Sequence, residues 1–272
     1  MRCAWLVVAV IAGVGCATAE TVHAPAAPAA ATAAAHEALG LVPGETMAYE
    51  IKLAGVLAGE AQLAVGEIGE LHGRRAIVVH SRAATAGAVA LVKKVVDEAT
   101  TVIDAETGRP IQLDTVLEMG DAKRITATAT FQGTVADVVF KKSTEATPQN
   151  LRIDFGTQAL HDTHSAMAHV RGWRAAPGTS RSVFVVGGKR LWRVDMTYVG
   201  TETIGSALGN RRAVVLEGRS LRARRNLTLE STKPSRSFRV WLSDDADRVP
   251  LKVAAQTELG EIVMDLVDYQ RP

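Results

Sequence analysis

Short segments in which apolar and polar residues alternate constrain the fold of this chain more than any other feature. Residues 47–53 alternate in this way, and residues 61–65 do so again after a break between Gly55 and Gly59. Successive side chains of a β-strand point to opposite faces, so this pattern is typical of a strand with one buried face. Two such segments around a glycine-containing break predict a β-hairpin.

The same alternation recurs along most of the chain. Residues 125–131 alternate with threonine on the open face, and Gln132-Gly133 leads into a second apolar run that ends at Phe140. Further alternating segments occupy residues 192–198, 238–242, 251–253 and 262–266. Many two-faced strands joined by short turns favour an antiparallel sheet. We therefore expect an all-β fold, mainly antiparallel, whose sheet is curved or forms an open barrel.

Two segments depart from the strand pattern. Ala86–Lys94 fits one or two helical turns, and residues 158–171 form the best helix candidate, with Thr157 or Asp162 as its N-cap. The residues that would share one face of this helix are Leu160, Thr163, Met167 and Val170. We expect this short helix to pack against the curved sheet and to cover its concave side or plug one end.

The cysteine content limits how the folded part can be stabilised. Cys3 and Cys16 are the only cysteines among the 272 residues, and both precede the predicted folded part. That part therefore has no thiol for a disulfide bond or for a metal ligand. We expect it to be held together by a core of Val, Leu, Ile and Ala side chains.

The first twenty residues predict export. Arg2 precedes an apolar run from Ala4 to Val14, and small residues follow, which is the layout of a secretory signal. The run is too short to cross about 30 Å of hydrocarbon, so we expect no transmembrane span in the mature protein.

Two processing routes fit this leader. Ala17–Ala19 matches an A-x-A cleavage site before Glu20, which would release a soluble protein, whereas Gly15-Cys16 indicates lipoprotein processing with acylation of Cys16. We favour lipidation because Cys16 lies directly after the apolar run and the next segment resembles a linker. We therefore expect an exported, periplasmic protein, with Cys16 as the residue that would anchor it to the outer membrane.

The composition divides the chain into three parts. Residues 1–19 form the leader, residues 20–42 form a linker rich in Ala and Pro, and residues 43–272 form a single β-rich domain. From Thr21 to about Ala38 the linker has almost no charge and no large apolar group, so this segment cannot bury enough surface to offset its ordering entropy.

Four groups of residues carry a family resemblance. They are Gly44-Glu45 with Tyr49 and Gly55–Gly59, Asp104–Pro110 (DAETGRP), Asp162–Ala166 with Arg171, and Val240–Pro250 (VWLSDDADRVP) with Gly260 and Tyr269. Together they resemble a bacterial exported family known as domain of unknown function 3108. The resemblance spans nearly the whole chain after the linker. It implies an all-β envelope protein and says little about chemistry, because the family has no settled activity.

The histidines of the predicted helix suggest a metal site only weakly. His161 and His164 lie one turn apart and could bind one divalent cation together with a carboxylate. His169 is too far along the helix to join them. Two ligands do not make a site. We therefore assign no metal ligands and no cofactor.

A hydrolytic site is the next candidate. Asp162, His164 and Ser165 invite it, but residues one to three apart on a helix point in different directions, and the chain has no Gly-x-Ser-x-Gly turn. Asp162 is better explained as an N-cap and Ser165 as a small packing residue. We assign no catalytic residues and lean away from an enzyme.

One basic stretch stands out in a chain with 31 basic and 29 acidic residues, a net charge of +2. The near balance argues against a nucleic-acid partner. The arginines of the stretch that we predict as a binding face are Arg219, Arg222, Arg224, Arg225 and Arg236. On adjacent strands they could meet anionic lipid headgroups or an acidic envelope polymer, and the alternative is a solvated sheet face.

These observations favour a noncatalytic envelope protein. Its concave apolar face or its basic rim would bind a lipid, a glycan or a protein partner. An envelope hydrolase with a polar site assembled by the fold is one alternative. A structural component of an outer-membrane assembly is another.

Overall fold

The structure is a computed structural model that describes residues 39–272, except residues 121, 157, 231 and 233. The strands are β1 (Thr46–Leu53), β2 (Val56–Val65), β3 (Gly69–Leu71), β4 (Arg74–Thr85), β5 (Val95–Asp104), β6 (Pro110–Met119), β7 (Lys123–Gln132), β8 (Val135–Lys142), β9 (Gln149–Asp154), β10 (Leu160–His161), β11 (Ser180–Gly187), β12 (Arg190–Ser206), β13 (Gly209–Ala223), β14 (Arg236–Ser243), β15 (Pro250–Thr257) and β16 (Gly260–Gln270). The helices are α1 (Gly87–Val92) and α2 (Thr163–Gly172).

All of these strands belong to one sheet, which confirms the predicted fold class. The order runs from β10 through β11 to β16, continues with β1, β2 and β4, and ends with β5 to β9, while β3 pairs with β4. Every pair is antiparallel except β10 with β11. The sheet is not closed by hydrogen bonds between its edge strands, β9 and β10.

The curl of the sheet brings its two edges onto one apolar cluster. Ile153 of β9, Leu160 of β10 and Val186 of β11 all belong to it, and each is buried. Irregularities in the strand register, such as that between Ala48 and Tyr49 in β1, allow the bending that this curl needs. The result is a barrel-like wall around an interior.

The opening hairpin follows the predicted alternation. Met47, Tyr49 and Ile51 of β1 are buried, and Ala54 and Gly55 form the turn with φ angles of 49° and 83°. Positive φ at both central positions is the geometry of a type I′ turn, whose twist matches that of the flanking strands.

Helix α2 starts later than the sequence predicts. Leu160 and His161 pair as β10 with Phe184 and Val185 of β11, so the helix starts at Thr163 and not at residue 158. The strand pairing outweighs the helical periodicity at this point. Of the two predicted caps, Asp162 is the one used, and it forms a capping box with Ser165.

In the part of the chain that the structure describes, no helix is both long and apolar enough to cross a membrane. The segments that precede residue 39, including the predicted leader, the acylation site Cys16 and most of the predicted linker, lie outside the described residues.

Candidate functional site

Helix α2 lies inside the barrel-like wall and is buried on most sides. Ala166 packs into an apolar cluster formed by β11 to β15, whereas Ala168 packs into a different cluster formed by β2, β4 and β5. Both His164 and Arg171 are also buried. The helix therefore divides the interior into two sides, and each side contains a cavity.

A chain of hydrogen bonds attaches the first turn of α2 to β4 and β5. Thr101 donates its hydroxyl proton to the carboxylate of Asp162, and its oxygen accepts a hydrogen bond from Nδ1 of His164 at 2.7 Å. Nε2 of His164 accepts a hydrogen bond from the Ser81 hydroxyl at 2.8 Å. Burial lowers the pKa of His164 although Asp162 opposes this, so the ring is neutral and every member of the chain is satisfied.

Hydrogen bonds thus connect Ser81 to His164 and, through Thr101, to Asp162, an order of residue types that resembles a hydrolytic site. The arrangement lacks one further element of such a site. The backbone of Ser81 is paired with Leu63 in β2 and with Ala99 in β5. Its N–H is therefore not available to stabilise an oxyanion, which serine hydrolases require. Ser165, the serine that the sequence suggested, instead accepts the N–H of Asp162 in the capping box. We interpret this chain of hydrogen bonds as an anchor for α2.

A buried ion pair attaches the other end of α2. Arg171 donates to both carboxylate oxygens of Glu45, at 2.5 and 2.9 Å, and to the carbonyl oxygen of Asp247 at 2.9 Å. Both charged side chains are fully buried. The Tyr269 hydroxyl donates to the same carboxylate at 3.3 Å, and burial together with the negative charge of Glu45 raises the pKa of Tyr269 to about 12. The pair joins α2 to the start of β1.

The first cavity, which we call the apolar cavity, has a volume of about 170 Å³ and lies beside Ala166, Met167 and Val170 of α2. Its opposite wall is formed by strand residues that include Ala61, Val183, Val194, Phe238, Val240, Val253 and Met264. Val240, Val253 and Met264 are register neighbours on β14, β15 and β16, and they are only half-buried. The cavity is not fully enclosed by protein.

An ionisable group lies close to the apolar cavity. Asp97 of β5 is the register partner of Ala83, which lines the cavity from β4. Burial, with a smaller contribution from Glu98, raises the pKa of Asp97 to about 7. The carboxyl group is therefore partly protonated at neutral pH.

The second cavity, which we call the basic cavity, has a volume of about 530 Å³ and lies on the other side of α2. His161, His169 and Arg181 line it from β10, α2 and β11, and the loop from Asp104 to Pro110 lines it from the β5–β6 connection. The rings of His161 and His169 lie 5.0 Å apart. His161 and His164 are both buried.

The five arginines predicted as a binding face are divided by the structure. Arg219 and Arg222 lie three positions apart on β13, so strand alternation directs them to opposite faces. Arg222 pairs with Glu230 at 3.1 Å, Arg224 and Arg225 are exposed in the segment at the end of β13, and Arg236 is half-buried. Burial lowers the pKa of Arg236. A binding role for these five residues stays a prediction.

Among the described residues, no group of three or more His, Cys, Asp or Glu side chains is arranged to hold a metal ion. Ser81 and Thr101, which the sequence did not indicate as partners of His164, lie more than sixty positions before α2. Only their inward positions on β4 and β5 could have suggested them.

The fold and its interior thus define a β-barrel-like protein with an internal helix. The chain matches the family described as Protein of unknown function (DUF3108) over residues 48–267, and it belongs to that family, as the motifs predicted. No curated protein matches the chain significantly.

Solved structures from several bacteria match the chain to different degrees. The chain is similar to a beta-barrel-like protein of domain of unknown function DUF1849 from Brucella abortus, with a TM-score of 0.54 and 10% identity over 85% of this chain and 98% of that chain. This similarity shows the fold alone. Two weaker matches are described as a candidate exported protein with YmcC-like fold from Bacteroides fragilis and as the hypothetical lipoprotein YmcC from Escherichia coli K12. The first match has a TM-score of 0.39 and 7% identity, and it covers 87% of this chain and 100% of that chain. The second match has a TM-score of 0.29 and 12% identity, and it covers 85% of this chain and 88% of that chain.

Proposed function

We propose that this protein is a noncatalytic component of the cell envelope that binds the apolar chain of a lipid-like ligand in the apolar cavity. The observation that carries the proposal is a cavity inside the sheet, walled by Val, Leu, Met and Phe side chains, that is open at one side. Ligand pockets are typically apolar concavities with few polar groups.

The size of the apolar cavity limits what it can accept. Its volume of about 170 Å³ is close to that of an apolar protein cavity of ~150 Å³ that binds benzene. The cavity therefore suits the end of an acyl chain and not a whole lipid. The rest of the ligand would extend out through the open side of the cavity.

The proposed location depends on the leader. Acylation of Cys16 would anchor the domain to the outer membrane, and the linker would give it reach from the membrane surface. A Cys16→Ser variant should lose incorporation of labelled palmitate and should be recovered in the soluble periplasmic fraction. Equal labelling of both forms would contradict the anchor.

A filled cavity provides the test of ligand binding. Ala61 of β2 lines the apolar cavity, whereas Ala64 of the same strand is exposed, so Ala61→Phe should fill the cavity and Ala64→Phe serves as the matched control. We expect the purified protein to bind the fluorescent probe N-phenyl-1-naphthylamine and to release it when decanoate is added. Binding should be lost in Ala61→Phe and retained in Ala64→Phe.

Two results would contradict the proposal. One is an unaltered protein that binds neither the probe nor decanoate, and the other is a probe that binds both variants equally. Val253→Phe fills the same cavity from β15, so it replaces Ala61→Phe if that variant does not fold. Crosslinks to envelope proteins without any ligand binding would favour the assembly alternative.

A further inference from the structure

We propose that the basic cavity binds a phosphate group, carried by a soluble phosphate ester or by the headgroup of a lipid. This proposal does not depend on the apolar cavity, because α2 separates the two and they have different linings. The volume of about 530 Å³ lies within the range of ~300–1,000 Å³ that small-molecule sites occupy.

The charge of the lining favours a doubly charged anion. Arg74, Arg109 and Arg181 line the basic cavity, and Asp104 is its only acidic lining residue among those described. Three positive charges and one negative charge leave a net charge of +2 when the histidines are neutral. A phosphate monoester carries about −1.5 to −2 at neutral pH, so it would balance this charge.

The acidic residue of the lining is held in a way that orients Arg74. The Asp104 carboxylate accepts the backbone N–H groups of Glu106 and Thr107 at 3.0 and 2.8 Å and pairs with Arg74 at 2.6 Å. Burial alone would raise the pKa of Asp104, but these hydrogen bonds and Arg74 lower it, so the carboxylate stays ionised. Arg74 is therefore held at the cavity by a fixed charge.

Arg181 is also positioned by its neighbours. Its guanidinium group lies 5.1 Å from the ring centre of Trp173 and donates to Nε2 of His169 at 2.8 Å. A guanidinium that stacks on an aromatic ring loses less freedom when it binds an anion. Arg109 is exposed on the loop that lines the same cavity, so it can reach a ligand that enters from solvent.

The electrostatic environment of His161 also indicates that the potential in the basic cavity is positive. Burial together with the neighbouring His169, Arg109 and Arg181 lowers the pKa of His161 to about 4, and the opposing effect of Asp162 is smaller than that of His169. A bound dianion would oppose this effect and raise the pKa of the ring. The histidine is therefore a reporter of occupancy.

The apolar part of the lining makes room for more than a free ion. Phe131, Leu160 and Ile111 line the basic cavity together with Leu39. A phosphate ester could place its organic group against these side chains. Both a sugar phosphate and a phospholipid headgroup meet this description.

Three probes separate these sources. The full chain would be titrated by calorimetry with inorganic phosphate, with the short-chain lipid dihexanoylphosphatidic acid and with zwitterionic dihexanoylphosphatidylcholine. The ring resonances of His161 and His169 would be followed by NMR in parallel. We expect both inorganic phosphate and dihexanoylphosphatidic acid to shift these resonances and to raise the pKa of His161, and the zwitterionic lipid to leave them unchanged.

A pair of arginine variants tests the site itself. Arg109→Ala removes an exposed lining charge, and we expect it to weaken binding of both phosphate probes by about tenfold or more. Arg75→Ala removes an exposed arginine of β4 that does not line the cavity, so it should bind the probes as the unaltered protein does.

The results of these titrations can distinguish a soluble phosphate ester from a lipid headgroup, and they can also contradict the proposal. Much tighter binding of the short-chain lipid than of inorganic phosphate would identify a lipid headgroup, and similar binding would identify a soluble ester. Histidine resonances that do not move, or equal weakening by Arg75→Ala, would overturn the proposal. Ala61→Phe should leave phosphate binding intact, so this test fails or succeeds separately from that of the apolar cavity.

Discussion

The two sides of α2 differ in how their cavities are built. The apolar cavity is walled mainly by inward-facing residues of regular strands, such as Val240, Val253 and Met264. The basic cavity is walled by a loop, by the short strand β10 and by the chain that enters β1, including Leu39 and Gly40. Strand alternation produces a continuous apolar lining, whereas loops and strand ends supply charged groups.

This difference suggests which structural changes affect each side. The apolar side depends on side-chain packing across several strands, so it should respond to changes of volume and of buried charge. The basic side depends on how a few backbone segments dock on α2. The helix and its two anchors are common to both, and their loss should affect both.

The largest effect is expected from the buried ion pair, because it supports both cavities. Arg171→Leu leaves the fully buried Glu45 carboxylate without its partner, and breaking a buried pair in this way costs about 3–5 kcal/mol. Urea unfolding measures the loss. Arg193→Leu, which breaks an ion pair with Asp195 that is about 40% exposed, should cost less than ~1 kcal/mol. Equal losses in the two variants would show that Arg171 does not anchor α2.

A smaller effect, confined to the basic side, is expected at Gly40. A Cβ atom there would lie 2.1 Å from the carbonyl oxygen of Ala168 and 2.4 Å from the nitrogen of Gly172, both in the α2 backbone. Gly40→Ala should therefore lift the chain off α2, cost on the order of 2 kcal/mol and weaken phosphate binding. Naphthylamine binding should persist. Gly69→Ala, with open space around the added atom, is the control, and a comparable loss there would contradict this explanation.

A pH-dependent effect of similar size is expected near the apolar side. Asp97 has a pKa of about 7 in the folded protein and about 3.8 when unfolded, so the folded state binds more protons between these values. The stability contributed by the protonated carboxyl is complete below pH 4 and is lost as the pH rises through 7. Asp97→Asn should therefore be more stable than the unaltered protein at pH 8 by roughly 2 kcal/mol, about half of what the pKa difference alone would give because Asp97 is only half-buried, and similar to it at pH 4.

Urea unfolding at the two pH values checks this expectation. Glu118→Gln is the control, because Glu118 is exposed, pairs with Arg124 and is not among the groups that shift the pKa of Asp97, so it should not reproduce the pH-dependent difference. A difference between Asp97→Asn and the unaltered protein that is the same at pH 4 and pH 8 would rule out the ionisation of Asp97 as its cause.

The smallest effect has the opposite pH dependence and belongs to the basic side. His161 has a pKa of about 4 when folded and about 6.5 when unfolded, so the unfolded state binds more protons between these values. Stability is therefore present above pH 6.5 and is lost as the pH falls towards 4. The part of the loss between pH 7.5 and 5.5 that His161 contributes should be about 1 kcal/mol, and His161→Gln should reduce the measured slope by that amount, while His164 and Asp97 still contribute to the remainder. His72→Gln, at an exposed histidine between β3 and β4, is the control, and an equal change of slope in the two variants would refute the assignment.

Helix α2 illustrates where local sequence patterns stop being sufficient. The periodicity from Leu160 to Val170 predicts a helix, and one forms, but Leu160 and His161 instead complete a strand beside β11. A two-residue strand has no periodicity of its own. Its formation depends on the free edge of β11, which is not apparent from the neighbouring residues.

The candidate sites show the same limitation more clearly. His164 contacts Ser81 across 83 positions of sequence, and Arg171 contacts Glu45 across 126. The sequence draws attention to the histidines and to Ser165 because they are close together along the chain. It does not indicate Thr101 as a partner of His164 or Glu45 as the partner of Arg171, since the local sequence around each carries no sign of a contact so far along the chain.

The sequence by itself indicated most of the strands and turns, a curved antiparallel sheet with a helix packed against it, and the family, because alternation and turn residues act over two to ten positions. Only the tertiary structure decided how α2 is anchored, which arginines share a face and where the apolar and basic cavities lie. Those features depend on contacts between residues far apart in sequence, which local patterns do not specify.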